Sequence, residues 1–238
     1  MSRSYTYAIA DLHGRHDLLK AALAKIAEHA YGAPYTVVTM GDYVDRGPQS
    51  RQIIETLMAE QRAPTGDFNL ICLKGNHEDM MVATLTMPLR PDWWIGNGGG
   101  ATLVSYGHPR RGSYDPTVVP REHIDWLAAL PLMHVDEHRV FVHAGVDATL
   151  PLDQQDAEKL LWMLYPDKAD VGHGERHVVH GHHQFERGPV CLSNRTDLDT
   201  FAWYTGRLVV GVFDDEKHGG PVELIEVLGA PYYRVEAA

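Results

Sequence analysis

Short apolar runs recur along this chain, and each leads directly into a group of small and polar residues. The runs at 7–10, 37–40, 70–73, 140–142 and 178–179 have the length of buried strands. Between the first three runs, apolar residues repeat at helical spacing over 18–30 and 50–63, with Asp17 as a candidate N-cap of the first helix, and a third helix is predicted over 78–87. The order of strand, polar group and helix repeats, which predicts an α/β layered fold.

The rest of the chain predicts shorter elements. Helices are expected at 101–105, 121–130 and 158–165, and strand-like alternation at 201–204, 208–213 and 222–227 would complete the sheets. The stretch 88–120, with several prolines and a glycine run, is interpreted as an insertion-like segment within a single domain of residues 1–238. Its Trp93 and Trp94 are expected mainly to pack as buried bulk, although the loop at Asn97 could instead reach the rim of a site.

Composition narrows the choice of partners and location. The 238 residues carry a formal net charge of −11, which disfavours nonspecific nucleic-acid binding. No apolar run approaches the ~20 residues of a membrane helix, and no secretory segment is evident, so we expect a cytoplasmic protein with neither a nucleic-acid nor a membrane partner. Cys72 and Cys191 belong to no paired motif, which argues against a disulfide framework or a thiolate zinc site.

The polar groups that follow the apolar runs are the candidate chemistry. Each sets Asp, Asn or His beside a glycine, and strand ends are where an α/β sheet presents such groups to a crevice. One such group alone would be an ordinary turn, but five in series predict a single convergent site. Carboxylate, amide and imidazole ligands without cysteine suit Mn²⁺ best, with Fe or Zn²⁺ as options. Two such ions ~3.5–4 Å apart can share a carboxylate and hydrolyse a phosphate ester.

The local motifs resemble those of the calcineurin-like metallophosphoesterases, within them the phosphoprotein phosphatase branch, and most of all its compact bacterial and phage serine/threonine phosphatases. The matching motifs are Asp11-Leu12-His13-Gly14, Gly41-Asp42-Tyr43-Val44-Asp45-Arg46-Gly47, Gly75-Asn76-His77-Glu78, His143-Ala144-Gly145 and Gly181-His182. The segment 94–106 is also similar to bacterial members, and the resemblance extends from 5 to about 208. It implies a four-layer α/β/β/α sandwich of two mixed sheets, with a binuclear metal site at one edge.

The resemblance also implies roles for individual residues. The metal ligands would be Asp11 and His13 for the first ion, Asp42 as the bridge, and Asn76, His143 and His182 for the second. A hydroxide shared by the two metals would attack phosphorus in line. His77 would be the general acid, Asp45 would orient and charge it, and Arg46 would grip the phosphate together with Asn76.

Two positions leave alternatives open. His180 and His183 compete with His182, which is preferred because the family ligand directly follows the glycine, while His180 could instead orient a ligand through a hydrogen bond. Glu78 is interpreted as a first-turn helix residue that the helix dipole favours.

The family's second phosphate-binding arginine is missing here. It usually follows a Leu-Trp pair, but Leu161-Trp162 is followed by Met163, and Arg187 and Arg195 are the candidate substitutes. The first hypothesis is a metal-dependent phosphomonoester hydrolase acting on phosphorylated proteins. The alternative is a hydrolase of dinucleoside polyphosphates or other small phosphoesters. A non-catalytic metal-binding scaffold is a third, disfavoured because a positioned acid and its partner accompany the ligand set.

Overall fold

Two five-stranded mixed sheets form the centre of the molecule. The computed structural model describes residues 4–64, 68–87, 91–110, 114–166 and 168–231. The strands are β1 Tyr5–Ile9, β2 Tyr35–Thr39, β3 Phe68–Cys72, β4 Met133–Val135, β5 Arg139–Val142, β6 His177–His180, β7 Val190–Cys191, β8 Arg195–Asp197, β9 Arg207–Asp214 and β10 Glu223–Leu228. The first sheet has the order β10-β9-β1-β2-β3 and the second β4-β5-β6-β8-β7.

Helices surround these sheets and connect their strands. They are α1 His16–Ala30, α2 Ser50–Arg62, α3 Asn76–Thr86, α4 Pro91–Trp94, α5 Gly100–Ser105, α6 Arg121–Ala129, α7 Ala157–Trp162 and α8 Ala202–Thr205, with a π-helical turn at Ile95–Gly99 and 3₁₀ turns at Pro116–Val118 and Leu152–Gln154. No helix among the described residues is both long enough and apolar enough to span a membrane.

Parallel pairing places the predicted polar groups at common edges. β1, β2 and β3 are mutually parallel, and so are β5 and β6. The carboxyl ends of parallel strands lie at the same edge of a sheet. The groups that follow β1, β2 and β3 therefore meet at one edge of the first sheet, and those that follow β5 and β6 meet at one edge of the second.

The core is layered because both faces of the central strands are buried. Ala8, Val38, Phe141 and Val179 pack in the cluster between the two sheets. The alternate residues of β1 and β2 pack against the helices on the other side of the first sheet, and those of β5 and β6 pack with Leu160 of α7. The strands are consequently continuous apolar runs. The predicted α/β architecture with two mixed sheets is confirmed, with a thin outer layer beside the second sheet.

Several predicted boundaries are wrong in instructive ways. The strand expected at 201–204 is the helical turn α8, which Phe201 precedes with a left-handed φ of 58° that no extended strand can contain. Asp17 does not cap α1, because the N-cap is Arg15 and the Asp17 carboxylate accepts its guanidinium at 2.7 and 2.8 Å. The helix expected at 158–165 spans Ala157–Trp162, and Met163 is already extended.

The predicted insertion-like segment at 88–120 lies partly outside the described residues, at 88–90 and 111–113, as do both ends of the 1–238 domain. Its described part is largely helical, its helices α4 and α5 pack against α3 and α2, and Trp94 and Leu103 are buried in the core.

Candidate metal centre

The loops after the strands hold their polar residues in an uncommon backbone conformation. Nine non-glycine residues have a positive φ among those described, and six of them are predicted site residues, namely Asp11, His13, Asp42, Asp45, Arg46 and His182. Each such conformation costs about 1–3 kcal/mol and persists only where the surroundings enforce it. The strain is therefore concentrated at the predicted site.

Two groups of potential ligands share one carboxylate. His13, Asp42 and His77 form the first, and Asp42, His143 and His182 the second. Asp42 Oδ2 lies 3.2 Å from His13 Nε2, and Asp42 Oδ1 lies 3.5 Å from His143 Nε2. Asp42 is 2 % exposed, so both of its oxygens are committed to the interior. This arrangement fits the bridging position that the sequence assigns to Asp42.

The imidazoles of His13 and His143 are oriented as metal ligands usually are. Each Nδ1 donates to a backbone carbonyl at 2.8 Å, of Val44 for His13 and of Met40 for His143. The proton is thereby fixed on Nδ1, and the Nε2 lone pair faces Asp42. Burial and the nearby Arg46 guanidinium lower the pKa of His13 to about 3, so it remains neutral.

Hydrogen-bond acceptor atoms face one another in the second group and at the neighbouring Asn76. With its proton on Nδ1, His143 directs the Nε2 lone pair at Asn76 Oδ1, 2.8 Å away. The His182 ring lies 5.0 Å from the His143 ring, and burial lowers the pKa of His182 to about 3. Lone pairs that converge without a donor repel one another unless a cation lies among them. The donor set therefore fits a metal ion.

Asp11 approaches this centre from the first sheet and is fixed by the second. Its Oδ2 accepts the His182 N–H at 3.0 Å, and a Cβ on Gly181 would lie 1.9 Å from that oxygen, which explains the glycine. Burial, then Asp199 and Asp42, raise the pKa of Asp11. Such an excess of buried negative charge is costly without a compensating cation.

Beside the ligands, His77 is held by a hydrogen-bonded carboxylate. Its Nδ1 lies 2.7 Å from Asp45 Oδ2, and Asp45 also accepts Trp94 Nε1 at 3.0 Å and the Thr102 hydroxyl at 2.7 Å. Burial lowers the pKa of His77, but the Asp42 and Asp45 carboxylates outweigh it, and the net pKa is raised. His77 is thus positioned to carry a proton.

Arg46 spans the space between the two imidazoles. Its NH1 donates to His13 Nε2 at 2.8 Å and its NH2 to His77 Nε2 at 3.1 Å. The backbone N–H of Arg46 donates to Gly98 O at 3.2 Å, where the φ of 111° requires glycine. The guanidinium fork lies between His13 and the proposed acid, His77.

The sequence did not indicate the contributions of Trp94, Thr102 and Gly98. The expected packing is observed for Trp94, which is fully buried and whose indole N–H also donates to Asp45, but it is wrong for Trp93, which is 49% exposed. Thr102 lies 57 residues from Asp45, and the resemblance of the segment 94–106 to bacterial members assigned it no role. The insertion-like segment thus supports the site instead of merely bordering it.

Glu78 also has a role that its helix position did not suggest. Its Oε2 accepts the N–H groups of Asp42 at 2.7 Å and Gly75 at 2.9 Å, and its Oε1 accepts those of Tyr43 at 2.8 Å and Val44 at 3.2 Å. Burial and the Asp42 carboxylate raise the pKa of Glu78 to about 8. Glu78 therefore clamps the backbone on which Asp42 is carried.

The two substitute arginines lie in different surroundings. Arg195 is 3 % exposed, and it donates to His180 Nε2 and Ala169 O, so these donors are directed into the protein. Arg187 is exposed on the loop that follows His182. His180 Nδ1 donates to Gly181 O at 2.8 Å and its Nε2 accepts from Arg195, so these hydrogen bonds go to the backbone before His182 and to an arginine instead of to a predicted ligand.

The chain is similar to known proteins in sequence and in fold. The chain is 30% identical over 144 residues, 59% of its length, to the symmetrical bis(5'-nucleosyl)-tetraphosphatase of Neisseria meningitidis, and this match spans 43% of the relative. A solved structure provisionally named a diadenosine tetraphosphatase superposes with a TM-score of 0.68 at 18% identity, over 97% of this chain and 99% of that one. A serine/threonine phosphatase from Saccharomyces cerevisiae superposes with a TM-score of 0.65 at 15% identity, over 98% and 82%.

At these identities the two structures show a shared fold. The calcineurin-like phosphoesterase family model matches residues 5–213, a range that includes every predicted ligand. The chain therefore belongs to the calcineurin-like phosphoesterase family.

Proposed function

We propose that this protein is a metal-dependent phosphohydrolase that cleaves dinucleoside polyphosphates. The observation that carries the reaction class is the Asp45–His77–Arg46 arrangement beside two ligand groups that share Asp42. The substrate class is supported by curated relatives named tetraphosphatases. The sequence alone favoured phosphorylated proteins as substrates, with dinucleoside polyphosphates as the alternative.

The chain's own residues would hold two ions, with Asp11 and His13 on one, Asp42 shared, and Asn76, His143 and His182 on the other. Mn²⁺ suits these oxygen and imidazole donors, as would Fe or Zn²⁺. When bound, the ions supply the Lewis acidity that phosphoryl hydrolysis requires.

Arg46 recognises the phosphate in this proposal. A planar guanidinium fork binds two phosphate oxygens at once, which lysine does less well. When Arg46 turns to the phosphate, it leaves His77 Nε2 free, because at present NH2 of Arg46 donates to that atom. The phosphate therefore releases the acid that the next step uses.

Once Arg46 has turned away, His77 Nε2 takes up a proton from solvent, and the imidazolium then donates that proton to the leaving oxygen. Asp45 holds Nδ1 and keeps the charged imidazolium favourable, while Trp94 and Thr102 fix the Asp45 carboxylate. When a dinucleoside polyphosphate is cleaved, the leaving group is a nucleotide, and its leaving atom is a phosphate oxygen. That oxygen needs a proton less than the serine alkoxide that leaves from phosphoserine. The acid should thus matter less for a polyphosphate than for phosphoserine.

The missing second arginine also favours the smaller substrate. The position after Trp162 holds Met163, and the next residue, Leu164, is 61% exposed. One side of the phosphate thus lacks the clamp that the resemblance to serine/threonine phosphatases implies. We assign the exposed Arg187, not the buried Arg195, to the phosphate side.

A substrate panel with the Mn²⁺-loaded protein tests the proposal. It should contain diadenosine tetraphosphate, phosphothreonine and phosphotyrosine peptides, and p-nitrophenyl phosphate, with Asp42→Asn as the inactive control. We expect the highest kcat/KM for diadenosine tetraphosphate, with ADP as the product on anion-exchange chromatography. A clear preference for phosphothreonine peptides would refute the substrate assignment and restore the protein phosphatase hypothesis.

A further inference from the structure

A groove lined by two tryptophans opens beside the metal centre. Trp93 and Trp162 stack with ring centroids 5.9 Å apart at 24°, and we call this pair the Trp93–Trp162 shelf. The groove has a volume of about 620 Å³, and Leu161, Lys74, Asp79 and Glu158 also line it. Ligand pockets of roughly 300–1,000 Å³ enclose molecules of nucleoside size and larger.

The groove borders the ligand groups at Trp162, and two more of its lining residues are near Asn76 in the sequence. The Trp162 ring lies 6.1 Å from the His182 ring in an edge arrangement at 85°. Asp79 lies three residues after Asn76 in α3, hence on the same helix face. Lys74 lies two residues before Asn76. A group attached to a phosphate at the metal centre would therefore lie within reach of Trp162 at the edge of this groove.

The lining indicates what kind of group that is. Trp93 remains 49% exposed, which is uncommon for so large an apolar side chain in a folded protein. Indole faces stack on nucleobases of any kind. Asp79 and Glu158 repel phosphate but accept hydrogen bonds from ribose hydroxyls and exocyclic amines.

We infer that the Trp93–Trp162 shelf binds one nucleoside of the substrate, with the base stacked on the tryptophans and polar groups facing Asp79 and Glu158. This inference rests on the proposed function for its substrate. It adds a binding site and a source of specificity: the shelf would select nucleotides over phosphopeptides, and the metal centre alone would recognise only the phosphate.

The test compares ADP with pyrophosphate, which is ADP without its nucleoside. Isothermal titration with Mn²⁺ gives the dissociation constants of both for the wild type, Trp93→Ala, Trp93→Phe and Tyr31→Ala. Tyr31 is a matched control, because it is an aromatic residue 92% exposed at the end of α1. The quantity to compare is the ratio of the two constants.

We expect the wild type to prefer ADP, and Trp93→Ala to reduce that preference about tenfold, as for loss of a base-stacking residue. Trp93→Phe should restore most of it, and Tyr31→Ala should leave it unchanged. Equal affinity of the wild type for ADP and pyrophosphate would overturn the inference, and so would equal ratios in Trp93→Ala and Tyr31→Ala. If Trp93→Ala does not fold, the fluorescence of wild-type tryptophan decides instead: quenching by ADP but not by pyrophosphate supports the inference, and equal quenching by both overturns it.

The outcomes separate this inference from the proposed function. A wild type that does not cleave diadenosine tetraphosphate, yet loses its ADP preference on Trp93→Ala, would refute the function and keep the shelf. If the wild type cleaves diadenosine tetraphosphate but Trp93→Ala leaves the ratio of the ADP and pyrophosphate dissociation constants unchanged, the function is kept and the shelf is refuted. An equal effect of Trp93→Ala on binding of a phosphotyrosine peptide would show a general aryl site and overturn the nucleoside assignment.

Discussion

Replacing Glu78 with glutamine should damage the metal centre although Glu78 is no proposed ligand. Both carboxylate oxygens accept two backbone N–H groups each, from Asp42 and Gly75 on one and from Tyr43 and Val44 on the other. Glutamine keeps one acceptor oxygen and replaces the other with an NH₂ donor. In either orientation of the amide, its NH₂ group faces two buried backbone N–H groups, which then have no acceptor.

The size of the effect follows from those two groups. A buried N–H without an acceptor costs about 1–3 kcal/mol, so Glu78→Gln should lower the free energy of unfolding by about 2–6 kcal/mol. The affected loop carries Asp42, whose φ of 54° is a strained conformation that the surrounding contacts must enforce. Relaxation of this loop should shift the shared carboxylate and reduce metal retention.

Urea unfolding above pH 8, where Glu78 with its pKa of about 8 is ionised, measures the change in stability, and elemental analysis after dialysis measures the bound metal. Asp79→Asn is the control, because it removes the same charge from the same helix turn at an exposed position. It should cost only the dipole interaction, about 0.3–1 kcal/mol. If Glu78→Gln is no less stable than Asp79→Asn and retains as much metal, Glu78 is the ordinary helix residue that its sequence position suggests.

Three further predictions concern the same centre. Chelation should abolish turnover of p-nitrophenyl phosphate and Mn²⁺ should restore it, and full activity in a preparation verified as metal-free by elemental analysis would contradict the metal mechanism. Asp45→Asn removes a charge that raises the pKa of His77. Because the acid must be protonated, the alkaline limb of the pH profile of kcat should move to lower pH, with the metal content retained. An unmoved limb would exclude His77 as the acid whose pKa Asp45 raises. Thr102→Val removes a buried hydrogen-bond donor to Asp45, so it should lower the free energy of unfolding by about 1–3 kcal/mol and should also lower kcat. Thr102→Ser keeps the donor and should preserve both, and equal urea midpoints for the two variants would contradict this.

The family and the positions of its ligands were predictable because they depend on local patterns. Apolar runs buried on both faces mark the central strands, and the polar motifs at their ends, Asp11 to His182, are short stretches of consecutive residues. The structure brings Asp42, His143 and His182 together as those motifs indicate. Local backbone conformation was less accessible: Phe201 has aromatic neighbours that alternate as in a strand, yet its positive φ begins a helical turn.

By itself, the sequence determined the α/β layering and, through its family resemblance, indicated the two sheets and the candidate side chains for metal, acid and phosphate. Only the tertiary structure decided how those side chains are held. Trp94 and Thr102 reach Asp45 across 49 and 57 residues, and Glu78 clamps a loop 34 to 36 residues away. Such contacts depend on the packing of separate elements, since hydrogen-bond geometry is set by distance in space and leaves no periodic signal along the chain. The same holds for the Trp93–Trp162 shelf, whose two indoles meet only after α4 and α7 pack on either side of the groove.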